Sequence, residues 1–514
     1  MKLSEISFAL CLNFLICNVK SAKILGVFPM PAHSHYTLGI TLMKELVSRG
    51  HEVTFISAFQ QKNPIKNLRE VSLEKAIKEN SDYKKTLFDL HEASFWKQND
   101  HLMEIGIEHT KNILNLENVR NLLKEDEHFD LIIIENFVND AFLGFGYHFN
   151  APTILLAPGP MTYLSNYFVA NPSPSSYIPN ISSRFGSNMN LIERIKNLYY
   201  DTVGELLLNF KSIPGHNKIL QRIFPGAPDI RQLIHNVSLI LTTSHSSTHS
   251  PVPLLPSVKE IGGYHISKPK ALPKDLQRYL DDAKEGVVVF SMGSSLNASM
   301  LPNHVKESIL STFGKLQQRV LWKLEIDLPE KPKNVKIVNW LPQTDVLAHP
   351  NVKLLISHGG ILSVIEAVYH GVPILGIPVF GDQELNIKNA VHNGFALNLP
   401  FRELNENTLF SCIHQILDTP EFAKNVKSRQ AILLDQPMTP METAMYWIEH
   451  VIRYKGAEHL KSPALRLMWY ERDMLDVYFY ILLFFVGLCL VVKRCLKYLC
   501  GCKSKNNVVK VKKN

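Results

Sequence analysis

Residues 339–386 constrain the fold of this chain more than any other segment. They contain two apolar runs of strand length, and each run is followed by a polar turn. In chain order the predicted elements are a strand at Val352–Ser357, a turn at His358-Gly359-Gly360, a helix at Ile361–His370, a strand at Val372–Ile377 and a turn with Asp382-Gln383. This order predicts parallel strands in an open α/β sheet, whose ligands bind at the carboxyl ends of the strands.

The polar residues of this segment suit an anionic ligand. A helix that begins after Gly-Gly offers unpaired backbone N–H groups and the positive end of its dipole to a phosphate. His358 could donate to the same group, while Ser363 and Glu366 share one helix face and could contact a phosphate and a ribose. Trp340 could stack on a nucleobase, and Asp382-Gln383 could bind sugar hydroxyls. Each residue alone also fits an ordinary turn, a solvated helix face or a core position, so the joint spacing carries the argument.

That joint spacing resembles the signature of the UDP-glycosyltransferases, in particular the animal (invertebrate-like), membrane-anchored, UDP-glucuronosyltransferase-like branch. The match is carried in fixed register by Trp340-Leu341-Pro342-Gln343, Ser357-His358-Gly359-Gly360, Glu366, Gly371-Val372-Pro373 and Asp382-Gln383-Asn386. The resemblance implies donor contacts that run from base to sugar: uracil on Trp340 and Gln343, ribose on Glu366, diphosphate at His358, Gly360 and Ser363, and the sugar on Asp382 and Gln383. Many vertebrate members have Asn where this chain has Leu362, which leaves more of one phosphate or sugar contact to Ser363.

A second strand-to-helix turn, at residues 290–295, is rich in small residues. Small side chains allow the backbone to approach a phosphate closely, although many turns of this kind bind nothing. The resemblance places the donor phosphates near Ser291, Gly293 and Ser294.

A general base is expected in the loop after the first strand, which contains His33 and His35. Imidazole titrates near neutral pH and can take a proton from an attacking hydroxyl. Ser34-His35-Tyr36 resembles the family's Ser-His-aromatic motif, which implies that His35 is the base and His33 a bystander. A carboxylate usually orients such a base, and the strand at residues 129–135 ends in Glu135, where many relatives have Asp. Asp140 is the alternative.

The sequence contains no Asp-x-Asp motif and no cluster of His and Cys, so we expect neither a metal nor another cofactor. Departure of UDP would then depend on a helix dipole, His358 and loop N–H groups. A single base without a protein nucleophile predicts inversion, from an α-linked donor to a β-glycoside. Two alternatives stay open: a UDP-sugar epimerase on the same fold, and a catalytically silent protein that binds a UDP-sugar or a lipophile.

Strands alternate with helices in both halves of the chain, which predicts α/β domains with doubly wound parallel sheets. A Pro- and Gly-rich stretch, residues 251–265, is expected to link them. We predict an N-terminal acceptor-binding domain at 23–255 and a C-terminal UDP-sugar-binding domain at 256–455. The resemblance implies the GT-B fold, with two Rossmann-like domains that face a cleft and a segment at Thr439–Tyr454 that crosses back to the first. Residues 60–120 and 158–215 are expected to set the acceptor.

The two ends of the chain predict a type I membrane protein. Residues 1–22 resemble a cleaved signal peptide, and 476–492 form an apolar segment that follows a membrane-proximal stretch, 456–475. The tail at 493–514 holds eight Lys and Arg and no acidic residue, which accounts for the formal charge of +8. A nucleic-acid partner is therefore not expected. Cations after the span place the tail in the cytosol, and lysines near the end resemble an endoplasmic-reticulum retrieval signal.

The lumenal body would contain Cys412 but no other cysteine, so no disulfide can form within it. Glycosylation sequons occur at Asn180, Asn236 and Asn297. Taken together, we expect a glycoprotein of the endoplasmic-reticulum membrane that acts in detoxification. It would transfer a hexose, glucose in preference to glucuronic acid, from a UDP-sugar to the hydroxyl of a small lipophilic acceptor. Assembly into homo-oligomers stays open.

Overall fold

The computed structural model describes residues 21–75, 94–183, 185–293, 301–326, 328 and 330–504. Several predictions lie outside these residues: most of the signal peptide, Ser294, Asn297 and the dilysine tail. The described chain divides into two compact units, which end and begin at Lys461 and Ser462.

The first sheet of the larger unit contains seven strands in the order β3-β2-β1-β4-β5-β6-β7. The strands are β1 (Lys23–Phe28), β2 (Glu52–Ser57), β3 (Leu68–Ser72), β4 (Leu131–Glu135), β5 (Thr153–Ala157), β6 (Leu239–Thr242) and β7 (Val258–Glu260). Every neighbouring pair is parallel. The helices are α1 (His33–Ser48), α2 (Phe95–Leu114), α3 (Glu117–Leu122), α4 (Gly144–His148), α5 (Tyr163–Val169), α6 (Leu191–Leu207), α7 (Ile213–Ile223) and α8 (Ile230–Ile234).

The second sheet contains six parallel strands in the order β10-β9-β8-β11-β12-β13. They are β8 (Val287–Ser291), β9 (Arg319–Lys323), β10 (Val335–Val338), β11 (Val352–Ser357), β12 (Ile374–Gly376) and β13 (Ala396–Asn398). The helices are α9 (Lys274–Asp281), α10 (Asn303–Gly314), α11 (Gln343–Leu347), α12 (Ile361–His370), α13 (Gln383–His392), α14 (Glu406–Asp418), α15 (Pro420–Leu434) and α16 (Pro440–Arg453). We call the parts built on the first and second sheets the first lobe and the second lobe.

Both sheets are covered on both faces, as their apolar strands predict. In β4, Leu131 and Ile133 pack into one hydrophobic cluster, whereas Ile132 and Ile134 pack into another on the opposite face. Helix α16 adds Met445 and other buried side chains to the cluster of Leu131 and Ile133. The chain thus returns from the second lobe to the first, as the resemblance implies.

Three local predictions were wrong. Strand β3 was missed because it lies at the edge of the sheet. Among its residues only Val71 is buried, so the strand has no apolar run. Strand β7 lies inside the expected linker, three residues past the predicted boundary at 255. The loop expected at His33 and His35 is helical, because α1 already begins at His33; its polar first turn and the lack of a side-chain cap at Ala32 leave no sequence signal for this start. His33 and His35 therefore lie on a helix and not in a loop.

The smaller unit, described from Ser462 to Ser504, contains α17 (Trp469–Arg472) and α18 (Leu475–Ser504). The part of α18 from Leu475 to Leu499 is 25 residues long and apolar enough to cross a membrane by length and composition. It extends several residues beyond the predicted span on the C-terminal side.

Candidate functional site

A cavity of about 1070 Å³ lies between the two lobes and is lined by residues of both. The carboxyl ends of both sheets' strands contribute to it, including those of β1, β4, β8 and β11. All the described residues that were predicted to bind the donor line this cavity, as does His35, and Glu135 contacts His35.

His35 and Glu135 form a hydrogen-bonded pair in the first lobe. His35 lies in the first turn of α1 and Glu135 ends β4, so the neighbouring strands β1 and β4 bring them together. The Glu135 Oε1 atom accepts from His35 Nδ1–H, which leaves Nε2 without a proton and able to act as a base. The longer Glu side chain therefore makes the contact that the resemblance assigned to Asp. Asp140 makes no such contact within the described residues, and burial raises its pKa to about 7.

Two opposing effects set the pKa of His35. Burial lowers it, but the charge and hydrogen bond of Glu135 together with the charge of Asp382 outweigh burial and raise the pKa above 6.5. Asp382 belongs to the second lobe, so a donor-side carboxylate and the candidate base lie within electrostatic reach of each other across the cavity. Burial in turn raises the pKa of Asp382, while a hydrogen bond from Asn386 and the charge of His35 oppose this shift.

Trp340 and His33 approach each other from the two lobes. The Trp340 side chain is 60% exposed, and its ring meets that of His33 edge-on with centroids 5.4 Å apart. His33 also stacks on Phe59 at 4.0 Å. His33 was predicted to be a bystander, but it helps to form the wall beside the indole. An exposed indole face at the cavity is suited to stacking with a planar base.

Gln343, Ser363 and Glu366 form a polar group on α11 and α12. Gln343 Nε2 donates to Ser363 Oγ (2.9 Å) and to Glu366 Oε2 (2.7 Å). The other carboxylate oxygen, Glu366 Oε1, lies 3.5 Å from His265 Nε2. His265 was not predicted, because the sequence around it looks like a linker. These contacts hold the Glu366 carboxylate in place at the cavity, where it can accept from vicinal hydroxyls.

His358 is enclosed between two glycines. A Cβ atom at Gly293 would lie 2.5 Å from His358 Cε1, and one at Gly360 would lie 2.7 Å from His358 Nε2. Gly293 also has a φ of +76°, which disfavours any other residue. Burial first, and the nearby charge of Lys323 second, lower the pKa of His358 to about 4. The imidazole is therefore neutral near pH 7 and can donate one N–H to an anionic group.

Lys323 is a cavity residue that sequence reasoning missed. It ends β9, is largely buried, and its Nζ donates to the Gly293 carbonyl (2.9 Å) while pairing with Glu325. The available signal was a lysine at the carboxyl end of β9, directly after three apolar residues. Lys323 ties the turn after β8 to β9. Within that turn, Ser291 Oγ accepts from the N–H of Gly293 (3.3 Å).

Asp382 and Gln383 begin α13, and their side chains have different surroundings. Gln383 Oε1 accepts from the backbone N–H groups of Val379 (2.8 Å) and Phe380 (3.1 Å), so it stabilises its own turn. Asp382 Oδ2 accepts from Asn386 Nδ2 (2.6 Å). Asp382 is therefore the better placed of these two residues to accept from a sugar hydroxyl.

The first lobe also supplies apolar side chains to the cavity lining, which we call the apolar wall. The side chains come from α2, α5, α6 and the segment between α5 and α6, and include Phe95, Leu102, Ile105, Tyr163, Phe185 and Tyr200. These residues belong to the segments that were expected to set the acceptor. Residues 76–93 of the same region lie outside the described structure.

The sequons differ in exposure. Asn180 is 4% exposed, and its Nδ2 donates to Asp201 (2.8 Å). Asn236 is exposed, and its Oδ1 accepts from Lys461 Nζ (2.8 Å).

Comparisons with known proteins were made for sequence and for fold. A family model described as UDP-glucoronosyl and UDP-glucosyl transferase matches residues 22–512. UDP-glucosyltransferase 2 of Dactylopius coccus is 35% identical over 497 residues, which cover 95% of this chain and 94% of the relative. Human UDP-glucuronosyltransferase 2B15 is 30% identical and covers 91% of this chain and 92% of its own length. The calicheamicin glycosyltransferase CalG4 matches with a TM-score of 0.60 at 17% identity, covering 85% of this chain and 99% of that one.

Proposed function

The chain belongs to the UDP-glucuronosyl and UDP-glucosyl transferase family and is a GT-B enzyme that transfers a sugar from a UDP-sugar, and we propose that it transfers glucose, with inversion, to a small lipophilic alcohol or phenol. The observation that carries this proposal is the meeting of two groups across the cavity. A histidine–carboxylate pair of the first lobe, His35 and Glu135, lies within electrostatic reach of Asp382 of the second lobe.

His35 Nε2 takes the proton of the acceptor hydroxyl as its oxygen attacks the anomeric carbon. The new bond from the acceptor oxygen forms on the face opposite to UDP, the bond between the anomeric carbon and the phosphate oxygen breaks, and UDP leaves with the electron pair. Glu135 stabilises the imidazolium that forms. One displacement inverts the anomeric centre, so an α-linked donor gives a β-glycoside.

The second lobe binds the donor in this proposal. Uracil stacks on Trp340, the ribose hydroxyls donate to Glu366, and the diphosphate lies against His358, Gly360, Ser363 and the turn after β8. Neutral His358 donates a hydrogen bond to the diphosphate. The backbone N–H groups at the start of α12, the positive end of its helix dipole, also attract the phosphate charge. This set of donors stabilises the leaving diphosphate without a metal.

Charge at the sugar end of the cavity supports glucose over glucuronic acid. Asp382, Glu384 and the His35-bound Glu135 place carboxylates at this end, which disfavours the carboxylate that glucuronic acid would bring there. Lys323 is paired with Glu325 and bound to the Gly293 carbonyl. A relative at 35% identity bears the name UDP-glucosyltransferase 2.

The cellular setting is part of the proposal. The apolar helix at Leu475–Leu499 anchors the chain in a membrane, and the cations after it keep the tail in the cytosol. The catalytic unit then lies in the lumen of the endoplasmic reticulum, where lipophilic acceptors reach the apolar wall. Conjugation would make such compounds more soluble, as in detoxification.

A donor competition assay tests the proposal. Membranes containing the full chain receive equal amounts of UDP-glucose and UDP-glucuronic acid with one simple phenol. We expect the β-glucoside to dominate, with the anomeric configuration read from its proton coupling. A dominant glucuronide contradicts the choice of donor, and an α-glucoside contradicts inversion.

The His35→Ala variant separates an enzyme from a silent binding protein. Because a general base contributes about 10²–10⁴-fold, turnover should fall by that factor, while UDP affinity stays within about twofold of wild type. Unchanged turnover excludes His35 as the base.

A further inference from the structure

A chain of hydrogen bonds crosses from the first lobe to Asp382. It begins at His249, in the loop after β6, whose Nε2 lies 3.2 Å from Asn386 Oδ1 on α13. Asn386 Nδ2 then contacts Asp382 Oδ2 (2.6 Å) and the Gly359 carbonyl oxygen (3.0 Å). One amide of the second lobe therefore joins His249 to the candidate sugar-binding carboxylate and to the turn that follows β11.

The partners of Asn386 fix the orientation of its amide. A carboxylate and a backbone carbonyl can only accept, so the atom that contacts both must be the NH₂ group. The oxygen of the same amide then faces His249, which must carry its proton on Nε2. His249 Nδ1 is left to contact Thr248 Oγ1 at 2.9 Å. The Thr248 hydroxyl also lies 3.0 Å from the His245 carbonyl oxygen, so its one proton is shared between that carbonyl and His249 Nδ1.

Burial determines the protonation of the two titratable groups in this arrangement, His249 and Asp382. His249 is buried, and this burial lowers its pKa to about 4, so it serves near pH 7 as a neutral donor. Burial also raises the pKa of Asp382, and the hydrogen bond from Asn386 opposes that change. Without His249, Asn386 Oδ1 would lose its partner and the amide could turn away from Asp382.

We propose that His249 is a positioning residue for sugar transfer: from the first lobe it holds Asn386, which in turn holds the Asp382 carboxylate in the orientation that receives the donor sugar. The inference rests on the proposed function, in which Asp382 accepts from a hydroxyl of the sugar. The inference adds that binding of the sugar by Asp382 depends on His249, a residue of the opposite lobe. Binding of the UDP portion depends on it less, because the turn with Gly359 is also held by Ser357 Oγ, which accepts from the Gly359 N–H (3.3 Å).

The test compares a sugar-bearing ligand with one that lacks the sugar. In His249→Ala, kcat/KM for UDP-glucose should fall by about five- to tenfold, the loss expected for one hydrogen bond, while the inhibition constant of UDP changes less than about twofold. His249→Gln, whose amide N–H can donate to the same oxygen, should restore most of the loss. His249→Leu fills the space without a donor and replaces His249→Ala if that variant does not fold.

A matched control uses the neighbouring contact between the same loop and the same helix. Ser250 Oγ lies 3.4 Å from Asn389 Oδ1, off the route to Asp382, so Ser250→Ala should leave kcat/KM for UDP-glucose unchanged. In an Asn386→Ala background, His249→Ala should add little further loss, because both act through the same amide.

The outcomes distinguish this inference from the proposed function. If His249→Ala leaves kcat/KM unchanged, if its UDP inhibition constant rises in parallel, or if His249→Gln fails to restore activity, His249 has no positioning role. Asp382→Asn tests the premise separately. If it keeps full activity with UDP-glucose, the proposed sugar contact is wrong whatever His249 does, whereas an impaired Asp382→Asn beside a normal His249→Ala overturns the inference alone.

Discussion

At the scale of single residues, the proposed proton transfer depends on the pKa of His35, on which burial and nearby charges have opposite effects. Burial of His35 favours the neutral imidazole, whereas Glu135 and Asp382 favour the imidazolium. The second effect is stronger, so the imidazole is a better base than an isolated one. Its partner is fully buried, and Glu135 Oε2 has no hydrogen-bond partner within the described residues. The carboxylate is thus directed to His35 alone.

This balance predicts how the pH profile changes in Glu135→Gln. The base must be unprotonated, so kcat/KM rises with pH through the pKa of His35, which Glu135 raises above 6.5. Removal of the charge leaves burial dominant, and the rising limb should move to lower pH. The plateau should also fall at least about tenfold, because an amide N–H directed at Nδ1 favours the wrong tautomer.

The measurement is kcat/KM for the phenol between about pH 5 and pH 9 with saturating UDP-glucose. Asp140→Asn is the control, because this buried carboxyl makes no described contact with His35 and should leave the position of the limb unchanged. A limb that moves to higher pH in Glu135→Gln would show that Glu135 does not set the pKa of the base.

At the scale of elements, the proposed diphosphate site depends on two strand-to-helix turns packed against one imidazole. The turn after β8 and the turn after β11 reach His358 through Gly293 and Gly360, and neither position has room for a side chain. Lys323 at the end of β9 fixes the first turn by donating to the Gly293 carbonyl. The proposed phosphate site is therefore built on three adjacent strands, β9, β8 and β11.

Gly293→Ala should consequently weaken UDP binding. The new methyl group would displace His358 and would impose strain at a φ of +76°, together costing about 1–3 kcal/mol, so UDP affinity should fall by roughly five- to a hundredfold. Isothermal titration with UDP measures the change.

Gly50→Ala separates the two causes. Gly50 has a φ of +92°, but no atom lies within 4 Å of the place that a methyl group would occupy, so its variant carries backbone strain without a clash. It should lose some thermal stability and keep its UDP affinity. Equal UDP affinity in Gly293→Ala and wild type would mean that the packing around His358 is not part of the donor site.

The sequence predicted these elements where local pattern and burial agree. Strand β11 and helix α12 have the bounds predicted, because an apolar run ends at a polar Gly-Gly turn. Edge strands such as β3 were missed, since their pairing depends on a distant neighbour and not on their own apolar residues. His265 and His249 were missed for a related reason: each has a role only through a side chain that is distant in the sequence.

At the scale of the whole molecule, the candidate reaction requires both lobes. The first lobe supplies His35, Glu135 and the apolar wall, while the second supplies Trp340 and Asp382. Helix α16 packs into the core of the first sheet, and the loop with His249 contacts α13, so both help to hold the lobes in one unit. Because the proposed proton acceptor and the proposed sugar site lie on different lobes, any relative movement of the lobes would change the distance between the base and the sugar.

Glycosylation reports on which side of the membrane this two-lobed unit lies. Only a lumenal catalytic unit meets the oligosaccharide transferase, so attachment at Asn236, which is exposed, requires the proposed orientation. Asn180 is buried and bonded to Asp201, so we expect little or no glycan there in the folded protein. In cells, endoglycosidase should increase the gel mobility of the wild-type chain, and Asn236→Gln should remove much of that shift while Asn180→Gln leaves it unchanged. A chain that shows no shift, with its tail protected from protease added to intact microsomes, would place the catalytic unit in the cytosol and reverse the proposed topology.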